Sequence, residues 1–153
     1  KLRYDFKIRG RRFTNRKVKM KLIKRFISYS GKLNKVKPIE PKRRPVIERN
    51  KKIYFYFKIK NVYYSGKEGI PAEFNVYIKK DRKIVQKFER MRALVLKPDL
   101  AQRKDQILKW YQNAMFNLKF SNRYESGQYH VLIKFKTVLN GKVVKIPYRL
   151  ILK

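Results

Sequence analysis

Residues 128–152 read QYHVLIKFKTVLNGKVVKIPYRLIL. Two β-rich runs flank Asn140-Gly141, and an Asn-Gly pair between alternating apolar residues is the strongest short-range sign of a β-hairpin. A two-residue turn at that site opposes Thr137 to Val144, Phe135 to Ile146, Ile133 to Tyr148, Val131 to Leu150 and Tyr129 to Leu152. One face is then apolar along its whole length, and a slip by one residue would turn it outward. On the other face the same register opposes Lys136 to Lys145 and Lys134 to Pro147, with Arg149 nearby and His130 opposite Ile151. Pro147 cannot donate to a ladder, which predicts an edge strand for 142–152.

The alternation extends upstream. In KIYFYFKIK (52–60), Ile53, Phe55, Phe57 and Ile59 share one face, while Tyr54, Tyr56, Lys58 and Lys60 share the other. EFNVYIKK (73–80) puts Phe74, Val76 and Ile78 on one face, and Asp81-Arg82 offers a turn into 84–90, whose spacing fits either strand or helix. Residues 99–118 predict an amphipathic helix. Asp99 is its N-cap, Gln102 occupies the capping-box position, and Leu100, Ile107, Leu108, Tyr111, Ala114, Met115 and Leu118 form the apolar face. Phe116 falls on the polar face of that helix. The expected fold class is therefore α+β: a small, mostly antiparallel sheet of about five strands with one helix, behind an extended basic N-terminal arm.

Charge divides the chain unevenly. It carries 43 Lys and Arg against 10 Asp and Glu, a formal net charge of +33 on 153 residues. Residues 1–51 hold +17 and residues 52–153 hold +16. The first part, with Pro38, Pro41 and Pro45, reads as an extended arm with at most a short strand at Leu2–Ile8; the second reads as a docking domain. A globule with this excess repels itself at physiological salt, so a polyanionic partner is expected. Phe, Tyr, Met, Ile, Asn and Lys make up about half of the chain, a bias towards AT-rich codons. Such bias raises lysine but does not account for having only ten acids.

The candidate phosphate contacts are Arg9, Arg11, Arg12, Arg16, Lys17, Lys19, Lys42, Arg43 and Arg44 in the arm, and Lys58, Lys60, Lys134, Lys136, Lys145 and Arg149 in the domain. Tyr54 and Tyr56 are candidates for stacking on unpaired bases, unless their face is buried by a second layer. The lysines opposed across the hairpin have a second reading, as a charged edge that deters aggregation. An import presequence and a weak SH3-type ligand at Pro38–Arg43 are competing readings of the arm.

Catalytic signals are scarce. His130 is the single histidine, cysteine is absent, the acids are scattered, and no phosphate-binding loop or nucleophile elbow occurs. No enzyme, no metal and no cofactor is expected. No apolar run is long enough to span a bilayer. These readings converge on a structural RNA-binding subunit of a large ribonucleoprotein, a mitochondrial ribosome before a cytoplasmic one. It would bind rRNA and neighbouring ribosomal proteins, without membrane association or self-sufficient homo-oligomerisation. The alternatives are a viral coat protein with a genome-packaging arm and a DNA-compacting protein.

Overall fold

The computed structural model describes residues 6–8, 11–13, 21–32, 35–64, 72–92, 108–137 and 143–153. Its strands are β1 (Phe6–Ile8), β2 (Arg11–Phe13), β3 (Lys21–Ser28), β4 (Val46–Ile47), β5 (Lys52–Tyr64), β6 (Ala72–Lys80), β7 (Lys83–Arg92), β8 (Leu108–Lys119), β9 (Gly127–Thr137) and β10 (Val143–Leu152). β1 and β2 pair with each other. The remainder form two sheets, β4-β10-β9-β6-β7 and β3-β5-β8, packed face to face as a β-sandwich.

The core lies between the sheets. Ile53, Phe55, Phe57 and Ile59 of β5 face Phe74, Val76 and Ile78 of β6, Val131, Ile133 and Phe135 of β9, and Ile146, Tyr148 and Leu150 of β10. Edge-to-face rings join the layers, Phe57 with Phe135 at 5.8 Å and Phe55 with Tyr148 at 5.1 Å between centroids. The Tyr148 hydroxyl donates across the layers to the Tyr56 carbonyl at 2.6 Å. Both sheets thus follow the period-two patterns of 52–60 and 73–80, and those inward faces are as expected.

The expected α+β class is wrong, and the helix is the reason. No helix of more than a single turn occurs among the described residues. Residues 108–118 of the expected helix are strand, and 99–107 lie outside the described residues. β8 lies antiparallel to β5 with Leu118 opposite Ile53 and Phe116 opposite Phe55. From Met115 to Phe120 burial alternates strictly, with Phe116, Leu118 and Phe120 inside and Asn117 and Lys119 exposed. Helical periodicity accommodated Leu118 but left Phe116 on the wrong side. The two-residue period accommodates both, and pairing to a central strand overrides the capping signs.

The expected arm also changes. Lys21–Ser28 is strand β3 of the smaller sheet, antiparallel to β5, and Val46–Ile47 pairs parallel to the end of β10. Ile27 and Ile47 belong to the core. Strand-compatible residues are diluted there by Lys21, Lys24 and Arg25, which an edge strand tolerates because they reach solvent.

The C-terminal hairpin forms, in a register two residues from the expected one. Phe135 opposes Val144, Ile133 opposes Ile146, Val131 opposes Tyr148 and Tyr129 opposes Leu150. A shift by two keeps every side chain on its face, so the apolar pattern alone cannot choose between the two registers. The choice falls to the turn, and Asn140-Gly141 lies outside the described residues. The lysine opposition consequently moves. Lys145 faces Lys134, Lys136 faces Val143, Pro147 faces Leu132, and His130 faces Arg149. Only Ile151 and Leu152 of β10 pair with β4, so among the described residues Pro147 has a strand partner on the β9 side alone.

Asp81 and Arg82 form the two-residue turn between β6 and β7, with φ of 51° and 67°. Positive φ at both central positions is the type I′ requirement, which Gly meets more readily than Arg. Arg82→Gly should stabilise the protein by about 0.5–1 kcal/mol. The midpoint of urea unfolding checks this, and an unchanged or lower midpoint contradicts it.

Candidate functional site: a basic cleft beside the sandwich edge

β3 and β10 edge their respective sheets along one side of the sandwich, apart from the short β4 contact. Between them opens a cleft of about 1700 Å³ that continues over the outer face of β9 and β10. Its apolar lining comes from Leu22, Phe26 and Ile27 of β3, Val131 and Leu132 of β9, and Pro147 and Tyr148 of β10. Ile27, Val131 and Tyr148 belong to the core, so this part of the lining is the flank of the packed interior. Small-ligand pockets typically measure about 300–1,000 Å³, so this open cleft is larger than most.

The rim is cationic. Lys24 and Arg25 project from β3, Lys79 and Arg82 from the β6–β7 hairpin, and Arg149 from β10 beside His130. Lys42, Arg43 and Arg44 come from a turn that straddles the two edges. Before the turn, Ile39 N–H donates to Ile27 of β3 at 2.8 Å; after it, Ile151 N–H of β10 donates to Pro45 at 2.9 Å. Within it, Arg44 N–H donates to the Pro41 carbonyl at 3.2 Å and Lys42 N–H to the Glu40 carboxylate at 3.1 Å.

Eight Lys and Arg line the cleft against one carboxylate, Asp81. The ion pairs among the described residues, Lys51–Glu48, Lys80–Glu125 and Lys87–Glu89, engage none of the eight. Clustered cations without acidic partners leave a positive potential that an anion would relieve. Deeper in, burial pushes the Tyr148 phenol well above its ordinary value, opposed in part by the Arg25 charge. Tyr148 therefore stays neutral and donates its proton to Tyr56, so it holds the sheets together rather than offering a charge.

The cleft unites four residues expected as anion contacts, Lys42, Arg43, Arg44 and Arg149. The others are dispersed. Arg9, Arg16, Lys17 and Lys19 lie outside the described residues, and Arg11 and Arg12 belong to β2, opposite Ile8 and Lys7. Lys134 sits over the Tyr77 ring at 5.2 Å, and Lys136 and Lys145 are exposed on the outer face. Tyr54, Tyr56, Lys58 and Lys60 occupy the half-buried outer face of β5. There Tyr56 stacks on Phe26 at 4.6 Å, and Tyr54 lies so close over Gly31 that a Cβ there would meet its ring at 2.6 Å. Lys24, Arg25, Lys79 and Arg82 were not foreseen as site residues, because only the fold brings their segments together. Among the described residues no three acidic or histidine side chains gather as a metal site would need.

This architecture has a solved counterpart. The chain is similar in fold to a Niemann-Pick type C2 protein from Japanese carpenter ant, with a TM-score of 0.56 over 90% of this chain and 94% of that one. Sequence identity is 12%, so the likeness is one of fold. No protein-family model and no curated protein matches the sequence. The expectation of a ribosomal, rRNA-binding subunit is corrected here, together with its ribosomal partners. It rested on the excess of Lys and Arg, divided between an extended arm and an α+β docking domain. The chain instead builds a two-sheet sandwich, similar in fold to that protein, with Lys21–Ser28 as one of its strands.

Proposed function

We propose that this protein binds lipids, specifically amphiphiles with an anionic head group. The observation that carries the reading is the composition of the cleft, whose apolar flank runs from Leu22 to Tyr148 beneath eight cations and a single carboxylate. An apolar chain laid against Leu132 and Pro147, which face each other on the outer side of β9 and β10, would leave water, at roughly 25 cal/mol per Å² buried. The head group would meet Arg43, Arg44 and Arg149, whose planar forks suit carboxylate and phosphate oxygens. The fold likeness to a Niemann-Pick type C2 protein points the same way, to lipid rather than rRNA. The excess charge of the chain acquires a role as well, since it draws the protein towards surfaces rich in acidic lipids.

The test uses monomeric lysophospholipids, read by displacement of anilinonaphthalene sulfonate. Lysophosphatidylglycerol should bind about tenfold more tightly than lysophosphatidylcholine, as expected when charge-assisted contacts add to chain burial. The triple variant Arg43→Glu, Arg44→Glu, Arg149→Glu should lose that preference with its thermal midpoint unchanged, because all three side chains are exposed. Equal binding of both lipids by the native protein, or an unaltered preference in the variant, overturns the proposal.

A further inference from the structure

The tip of the β6–β7 hairpin combines two features that seldom coexist on a protein surface without a partner. Ile84 and Val85 are adjacent, on the free edge of the larger sheet, and 53% and 46% exposed. Around them stand Lys79, which opposes Ile84 across the ladder, Arg82 beside Asp81 in the turn, and Lys83, three cations to one carboxylate. None of these three cations takes part in an ion pair among the described residues. Scattered exposed aliphatics are ordinary; a consecutive pair ringed by unpaired cations is the composition of an interfacial anchor.

We infer that this tip docks the protein on an anionic lipid bilayer, with Ile84 and Val85 entering the head-group layer. Charge complementarity selects the occupant: each cation close to an acidic membrane strengthens binding about fivefold, and the aliphatic pair adds an apolar term that salt does not screen. The turn has only two residues and joins long paired strands, so the anchor is held on a ladder rather than on a floppy loop. Lys79 and Arg82 also line the cleft, so docking by this tip would set the mouth of the cleft against the bilayer surface. The docking surface does not depend on what occupies the cleft.

Co-sedimentation with vesicles tests it. The native protein should bind vesicles of phosphatidylcholine and phosphatidylglycerol, and bind vesicles of phosphatidylcholine alone far more weakly. The double variant Ile84→Ser, Val85→Ser should bind the mixed vesicles about tenfold more weakly, as loss of two partly inserted aliphatics implies. Val143→Ser, at a similarly exposed position on β10, should bind like the native protein. Monomeric lysophosphatidylglycerol should still bind the double variant, which separates failure of docking from failure of the cleft. Three results would overturn the inference: vesicle binding unchanged in the double variant, binding abolished in both proteins by about 0.5 M salt alike, as for simple charge adsorption, or structured RNA displacing the native protein and the variant equally from the vesicles.

Discussion

Replacing Phe116 by Ala is expected to destabilise the protein by about 3–5 kcal/mol, the usual cost of deleting a buried ring. Phe116 is 6% exposed and packs its ring within 6.2 Å of Phe55, 5.8 Å of Phe74 and 5.5 Å of Phe88. Those partners belong to β5, β6 and β7, so one side chain ties the smaller sheet to the free edge of the larger. Truncation opens a cavity there that three rigid rings collapse into poorly. The neighbouring Asn117 is exposed on the outer face, and Asn117→Ala should change stability by about 0.5 kcal/mol or less. Urea unfolding of the two variants measures the contrast directly. On an amphipathic helix Phe116 would stand on the polar face and its loss would be nearly neutral. A small effect at Phe116 with a large one at Met115 would therefore restore the helix and undo the sandwich.

The same residue shows where the sequence was legible and where it was not. Ile53–Ile59 and Phe74–Ile78 alternate without interruption, and a strand buried on one face has no other way to arrange them. In 108–118, strand-like and helix-like spacings coexist, because Leu108, Tyr111, Met115 and Leu118 also fall on one helical face. The deciding term is the pairing of β8 with β5, a contact between segments about sixty residues apart that no local window contains. The hairpin at 128–152 fails more gently. Its faces were correct and its register was not, since displacement by two residues preserves the pleat.

Charge masked as much as it revealed. The density of Lys and Arg drew attention to Lys42, Arg43, Arg44 and Arg149, which do share a cleft. It also made Lys21–Ser28 resemble an unstructured arm, although Leu22, Phe26 and Ile27 are buried or half-buried within a strand. The cleft needed β3, the 42–44 turn, the β6–β7 hairpin and the β9–β10 pair to come together. Each of these segments is basic, but only their convergence with Val131, Leu132, Pro147 and Tyr148 adds the apolar flank on which the proposed lipid binding rests.

Tyr148→Phe should cost about 1–2 kcal/mol at neutral pH, the range for losing one well-made buried hydrogen bond. Its hydroxyl donates to the Tyr56 carbonyl at 2.6 Å, and the ring itself, edge-on to Phe55 at 5.1 Å, survives the substitution. The difference should reverse in alkali. Burial raises the folded-state pKa of Tyr148 well above 10.0, while the unfolded chain titrates near the ordinary value. A raised folded pKa means that the associated stability is complete below pH 10 and is lost as pH climbs from there towards the folded value. Within that window the native state holds one proton more than the unfolded state, so stability falls by about 1.4 kcal/mol per pH unit on account of this residue alone. The Phe variant lacks that contribution. Tyr56 and Tyr129 are also raised by burial, so the variant keeps a weaker alkaline decline of its own. Subtracting the two stability curves isolates Tyr148. The native advantage should be flat to about pH 10 and vanish roughly one unit above it, given its size and that slope. A difference that stays constant to higher pH would mean that the phenol is solvated in the folded state. The two sheets would then not be closed by Tyr148, and the flank of the cleft would be wet where an apolar chain is proposed to lie.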